Sequence, residues 1–188
     1  VSTSFKRSGR RKLGYDTNQV DEFLKAAREQ YNDSSKELIT VFDVRTARFE
    51  LVRNGYSISV VDSALEKLED AFAERQYQRE VKKSGYFEFT EDLKELKEMV
   101  LARSQRKRGR KFSRRVWPNR GYSVREVDKF CSYLGKKLDS KANLTVKEVR
   151  IATFKSKRGG YAEYQVDAFL EKVVEVLQRE TAVKATTR

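Results

Sequence analysis

One short string occurs four times in the chain: GYDTNQVDEFL from Gly14, GYSISVVDSAL from Gly55, GYSVREVDKFC from Gly121 and GYAEYQVDAFL from Gly160. A repeat of about 40 residues cannot bury enough apolar surface to fold alone, so the copies must pair with one another. The four Gly-Tyr pairs are 41, 66 and 39 residues apart, and a Phe precedes each Gly by nine, six, nine and six residues (Phe5, Phe49, Phe112, Phe154). Odd and even repeats therefore differ systematically. The even ones share a lead-in, ITVFDVRTARF at 39–49 and LTVKEVRIATF at 144–154. Duplication of a two-repeat block accounts for this pattern. It predicts a first pair over 1–82 (1–37 and 38–82), a connecting helix and basic linker over 83–109, and a second pair over 110–188 (110–142 and 143–188).

Each copy reads as a helix start. Asp16, Ser57 and Ser123 stand at N-cap positions, and Gln19, Glu126 and Gln165 follow the cap by three, so SVRE at 123–126 has the form of a capping box. Ala162 replaces the cap in the fourth repeat, which weakens that helix start by about 1 kcal/mol. Tyr15, Tyr56, Tyr122 and Tyr161 precede the caps, and Val20, Val61, Val127 and Val166 follow them by four, the spacing of a hydrophobic staple. Gly14, Gly55, Gly121 and Gly160 suit either positive φ or a close backbone approach. Beyond each Val runs a narrow apolar seam on a charged helix, as in Val20, Phe23, Leu24, Ala27 and Tyr31, which suits coiled-coil-like pairing. Leu93, Leu96, Met99 and Val100 mark a further helix behind a Thr90 cap. The predicted class is mainly α.

Asp21, Asp62, Asp128 and Asp167 follow the invariant Val. As carboxylates on separate helices they make a poor metal or catalytic set, and pairing with Arg or Lys of the preceding loops is the expected role. The chain has no His and a single cysteine, Cys131, which stands where other repeats have Leu and is expected in the core. Ser/His and Cys/His catalysis and an internal disulfide are thereby excluded, and neither enzymatic activity nor a cofactor is expected. With 41 Lys and Arg against 28 Asp and Glu, the formal charge is +13. A polyanionic partner follows, either an anionic membrane or nucleic acid. No apolar run reaches the roughly 18 residues of a membrane span, and VSTSFKRSGRRK at the start has no signal-peptide core, so the expected location is cytoplasmic.

The combination of lead-in Thr, Phe, Gly-Tyr, cap, Glu or Gln, Val-Asp and an apolar pair resembles the N-terminal domain of the bacterial division and polarity protein DivIVA. It fits best the actinobacterial proteins made of repeated DivIVA domains. The resemblance implies a short lead-in helix, a β-like loop before Gly-Tyr and a helix paired in parallel with that of another copy, here within one chain as two pseudo-dimers. It also implies a scaffold that meets the inner membrane surface through the loop before Gly-Tyr, recruits division or polar-growth proteins and can self-associate further. The family's Phe-Arg pair at that loop is missing. The residues before each Gly are Lys12-Leu13, Arg53-Asn54, Asn119-Arg120 and Arg158-Gly159, with Leu13 and Trp117 as the nearest apolar substitutes.

The residues expected to contact a membrane or other anion are Lys12, Leu13 and Arg53 in the first pair. In the linker and second pair they are Arg106, Lys107, Arg108, Arg110, Lys111, Arg114, Arg115, Trp117, Arg120, Lys157 and Arg158. The basic run 103–115 alternatively suits a phosphate backbone, which makes a basic nucleic-acid-binding protein the second reading. Trp117 suits a packed loop anchor as well as a membrane contact, with packing slightly favoured, and the four lead-in Phe residues are expected to face inward.

Overall fold

A computed structural model describes residues 5–32, 39–140 and 143–186. The segment boundaries expected at 37/38 and at 142 lie outside the described residues. The described chain is mainly helical, with seven helices and two small antiparallel sheets. It divides into two compact units, 1–76 and 77–188.

The N-terminal unit contains β1 (Leu13–Tyr15), α1 (Thr17–Asn32), α2 (Val41–Thr46), β2 (Leu51–Arg53) and the first part of α3 (Ile58–Ser84). The C-terminal unit contains the end of α3, then α4 (Tyr86–Gln105), β3 (Arg120–Tyr122), α5 (Val124–Asp139), α6 (Val146–Arg150), β4 (Ser156–Arg158) and α7 (Glu163–Thr186). The lead-in helices α2 and α6 are only six and five residues long, too short to hold themselves without caps. Both have full capping boxes. Thr40 Oγ1 accepts the Asp43 N–H at 3.1 Å while Asp43 accepts the Thr40 N–H at 2.7 Å, and Thr145 with Glu148 repeats this at 3.2 and 2.8 Å.

Helix α1 opens as predicted, with Asp16 Oδ1 accepting the amides of Asn18 and Gln19 at 2.9 and 3.0 Å. Helix α5 does not. Ser123 makes no side-chain cap bond, and Glu126, which would complete the capping box, reaches instead to the amide of Lys155 at 2.8 Å. Thr90 is likewise no cap: α4 begins at Tyr86 behind Gly85, and Thr90 Oγ1 donates to Phe87 O inside the helix. Leu93, Leu96 and Val100 of α4 are buried in one core with Val127, Cys131 and Leu134 of α5 and Val166, Val173 and Leu177 of α7. Met99 turns outward instead, at 58% exposure. Helix α4 lies so close to α5 that a Cβ on Gly135 would overlap the Ser104 side chain.

Each sheet is a crossing of two short strands that carry or precede a Gly-Tyr pair. In the N-terminal unit Leu13 faces Arg53 and Gly14 faces Val52, and in the C-terminal unit Arg120 faces Arg158 and Gly121 faces Lys157. Tyr15 and Tyr56 exchange backbone bonds of 2.9 and 2.8 Å, and Tyr122 and Tyr161 exchange bonds of 3.0 and 2.9 Å. The motif glycines serve this close approach and do not adopt positive φ. Left-handed backbone lies one residue earlier, at Asn54 (φ 59°) and Gly159 (φ 62°), where the shorter even-repeat loops turn.

Candidate functional site: two basic tips on crossed strands

The tips are held by contacts that recur between repeats. Tyr56 donates its hydroxyl to Asp21 at 3.1 Å and Tyr161 donates to Asp128 at 2.9 Å, while burial, with Asp62 and Asp167 beside them, raises the hydroxyls of Tyr15 and Tyr122 above the ordinary phenol value. Each lead-in Phe meets the Tyr of the other repeat: Phe5 on Tyr56, Phe49 on Tyr15, Phe112 on Tyr161 and Phe154 on Tyr122, with centroids 5.3 to 5.4 Å apart. The inward orientation expected of these Phe residues is what the structure has. Gln19, Glu126 and Gln165 reach across too, accepting the amides of Glu50, Lys155 and Ser113, each the residue after a lead-in Phe. The four invariant letters of the motif thus each have a task. Gly permits the crossing, Tyr meets the Asp of the other repeat across it, with a hydrogen bond at Tyr56–Asp21 and Tyr161–Asp128, and Val20, Val61, Val127 and Val166 are all 0% exposed beneath it.

The expected pairing of these Asp residues with loop cations is replaced at Asp21 and Asp128 by the tyrosine bonds. None of the four is in an ion pair among the described residues. At Asp21 and Asp128 the phenol bond satisfies a carboxylate oxygen without fixing a flexible cation. The loop cations are left to the tips.

At the C-terminal tip every residue from 113 to 120 and from 155 to 158 is exposed. These runs, SRRVWPNR and KSKR, contain no carboxylate. Arg120 donates to Ser156 Oγ and O at 3.2 and 3.0 Å, and Arg114 donates to Gly159 O at 2.9 Å, so both guanidiniums are held on the crossing by backbone and hydroxyl oxygens. Of the two readings of Trp117, the packed anchor is not what the structure has. Trp117 is 68% exposed beside Val116 at 77%, with the Arg158 guanidinium 5.3 Å from its ring centroid as its ring contact. At the N-terminal tip Leu13 is 54% exposed opposite Arg53, with Lys12 beside it, and Arg7 donates to Asn54 O at 3.0 Å.

Of the remaining expected contacts, Arg106, Lys107, Arg108, Arg110 and Arg115 are exposed, as are Lys157 and Arg158. Lys111 is different. It is 2% exposed, and its ammonium donates to Ser104 O and to Arg106 O, the latter at 2.7 Å, thereby closing the C-terminal end of α4. A cation there offsets the negative helix end. Lys111 is thus a structural cap, unavailable to a partner, and nothing in a run of eight basic residues singles it out in the sequence.

Cys131 is buried as predicted, and its burial pushes the thiol from an ordinary 9.0 up to about 12. Burial pushes Tyr161 from 10.0 to about 12 as well, with the Asp128 bond adding to the rise. For both acids the folded value lies above the unfolded one. The stability they contribute is complete below the unfolded values and is lost as pH rises through the folded ones. Thermal unfolding followed by circular dichroism is expected to show a melting temperature that falls as pH climbs from about 9 to about 12. Cys131→Ala should flatten the lower part of that slope. An unchanged slope in this variant would mean that the thiol does not share in the transition.

Compared with protein-family models, curated proteins and solved structures, the chain matches none of them. Among the described residues no helix is long and apolar enough to cross a membrane, and no three His, Cys, Asp or Glu side chains group as a metal site.

Proposed function

We propose that this chain is a non-enzymatic scaffold of the DivIVA type, two intramolecular pseudo-dimers that meet an anionic membrane surface through their basic tips and serve bacterial division or polar growth. The observation that carries the reading is the C-terminal tip, where exposed Val116 and Trp117 project among Arg114, Arg115, Arg120, Lys157 and Arg158. An apolar wedge ringed by cations matches the interface of an anionic bilayer: each nearby cation adds about 1 kcal/mol, and a buried aromatic adds roughly 1.5 to 3 kcal/mol. The loop before Gly-Tyr is also where the resemblance puts the family's membrane contact. The repeated crossing supports the scaffold half of the reading, since the invariant residues are spent on fold and none on chemistry.

Sedimentation with vesicles tests it. The purified chain is expected to pellet with phosphatidylglycerol vesicles and not with phosphatidylcholine ones at physiological salt, undiminished by duplex DNA. Trp117→Ser should weaken pelleting about tenfold or more, corresponding to the lost aromatic burial. Pelleting that is absent, or indifferent to Trp117, would sink the membrane part of the proposal, and displacement by DNA would transfer the tips to nucleic acid.

A further inference from the structure

A cleft of about 550 Å³ lies in the C-terminal unit, between the second half of α4, the following segment and the first turns of α7. Its cations are Arg103, Arg106, Arg110, Lys111 and Lys172, and no carboxylate lines it. Three of the five are already committed. Lys111 closes α4, Arg103 donates to Lys111 O at 3.2 Å and stands over Phe112, and Lys172 pairs with Glu175 at 2.7 Å. Arg106 and Arg110 are exposed and have no ion pair or side-chain hydrogen bond among the described residues. Because Lys111 offsets the negative end of α4, that helix end does not cancel their field.

The floor and rim are apolar. Phe112 and Phe169 pack edge to face at 5.5 Å beneath, while Met99 and Tyr164 stand at the rim, 58% and 65% exposed. Methionine is an adaptable contact surface. No buried polar side chain is aimed into the cleft to orient a small molecule. A bilayer cannot enter a concavity, and a duplex, which presents its phosphates and keeps its bases stacked on one another, has no use for an apolar floor. The occupant that satisfies both the uncompensated charge and the apolar surface is a polypeptide segment rich in Asp and Glu with an aliphatic or aromatic anchor.

We infer that this cleft is a docking site for such an acidic amphipathic segment of a partner protein, distinct from the tips and independent of the membrane reading. Arg106 and Arg110 would hold the carboxylates, and Met99 and Phe169 would receive the anchor.

The test is fluorescence polarisation with a set of short labelled peptides that alternate Glu with Leu or Phe, against the same peptides with Gln in place of Glu. At least one acidic peptide is expected to bind the full chain, and its Gln counterpart should bind about tenfold more weakly or worse. The double variant Arg106→Glu with Arg110→Glu should reduce affinity by at least as much, and Met99→Asp should weaken it independently. Trp117→Ser, at the tip, should leave it unchanged. Circular dichroism on each variant separates lost binding from lost fold. Failure of every acidic peptide, or binding indifferent to Arg106, Arg110 and Met99 in folded variants, would overturn the site. So would duplex DNA that binds there more tightly than any peptide and ignores Met99→Asp. Vesicle pelleting that persists through such a failure would leave the tip proposal standing.

Discussion

Gly160→Ala is expected to unfold the C-terminal unit, at a cost of about 4 kcal/mol or more, which lies in the exceptional range for one methyl group. A Cβ at this position would stand 2.5 Å from Gly121 O and from Tyr122 O, and 2.6 Å from Gly121 C. All three are backbone atoms of the crossing strand. A side chain could swing aside, but these atoms are fixed by the exchanged Tyr122 and Tyr161 hydrogen bonds and by the Ser123 amide bonded to Lys155 O at 2.8 Å. The N-terminal unit has the same construction, with a Cβ on Gly55 only 2.7 Å from Gly14 C. Gly109→Ala is the control. Its φ is 76°, yet nothing lies within 4 Å of the added carbon, so the cost is the left-handed penalty of about 1 to 2 kcal/mol. Urea denaturation followed by circular dichroism measures both. Equal effects would mean that the strand crossing is looser than the exchanged bonds require.

The same contrast shows what the sequence made legible. Helical class and the burial of Val20, Val61, Val127, Val166, Leu134 and Val173 follow from spacing, because a seam three and four residues apart has only one way to leave water. The caps of α2 and α6 were present as TVFD and TVKE but are drowned in the longer shared lead-in, while SVRE at 123–126 has the capping-box form and yet Ser123 makes no cap bond and Glu126 reaches Lys155. Periodicity describes one helix at a time. It says nothing of which amide a Gln on one helix will find on another segment, so the bonds from Gln19 to Glu50 and from Gln165 to Ser113 were invisible. The charge run 103–115 was legible as charge, yet Lys111 and Arg110 are adjacent residues with opposite fates. Only the end of α4, which needs a donor for its last carbonyls, distinguishes them.

Asp128→Ala is expected to cost about 3 kcal/mol, whereas Asp21→Ala, the same letter of the same motif, should cost about 1 kcal/mol or less. Both carboxylates accept a tyrosine hydroxyl from the other repeat. Asp21 is exposed, so water replaces it for Tyr56. Asp128 is 5% exposed, and its second oxygen accepts the Gly109 amide at 2.7 Å. Truncating it leaves that amide and the fully buried Tyr161 hydroxyl without their acceptor, and the penalty for stranded polar groups exceeds the net value of the bonds themselves. Asp128→Asn keeps an acceptor oxygen and should fall between the two. The Gly109 bond also fixes the turn between Arg108 and Arg110, on which the cationic wall of the cleft depends. Folded Asp128→Asn protein is therefore expected to hold acidic peptides several-fold more weakly while vesicle pelleting through Trp117 is unaffected. Equal destabilisation by Asp21→Ala and Asp128→Ala, measured by urea denaturation, would show that burial does not separate these two members of the repeat.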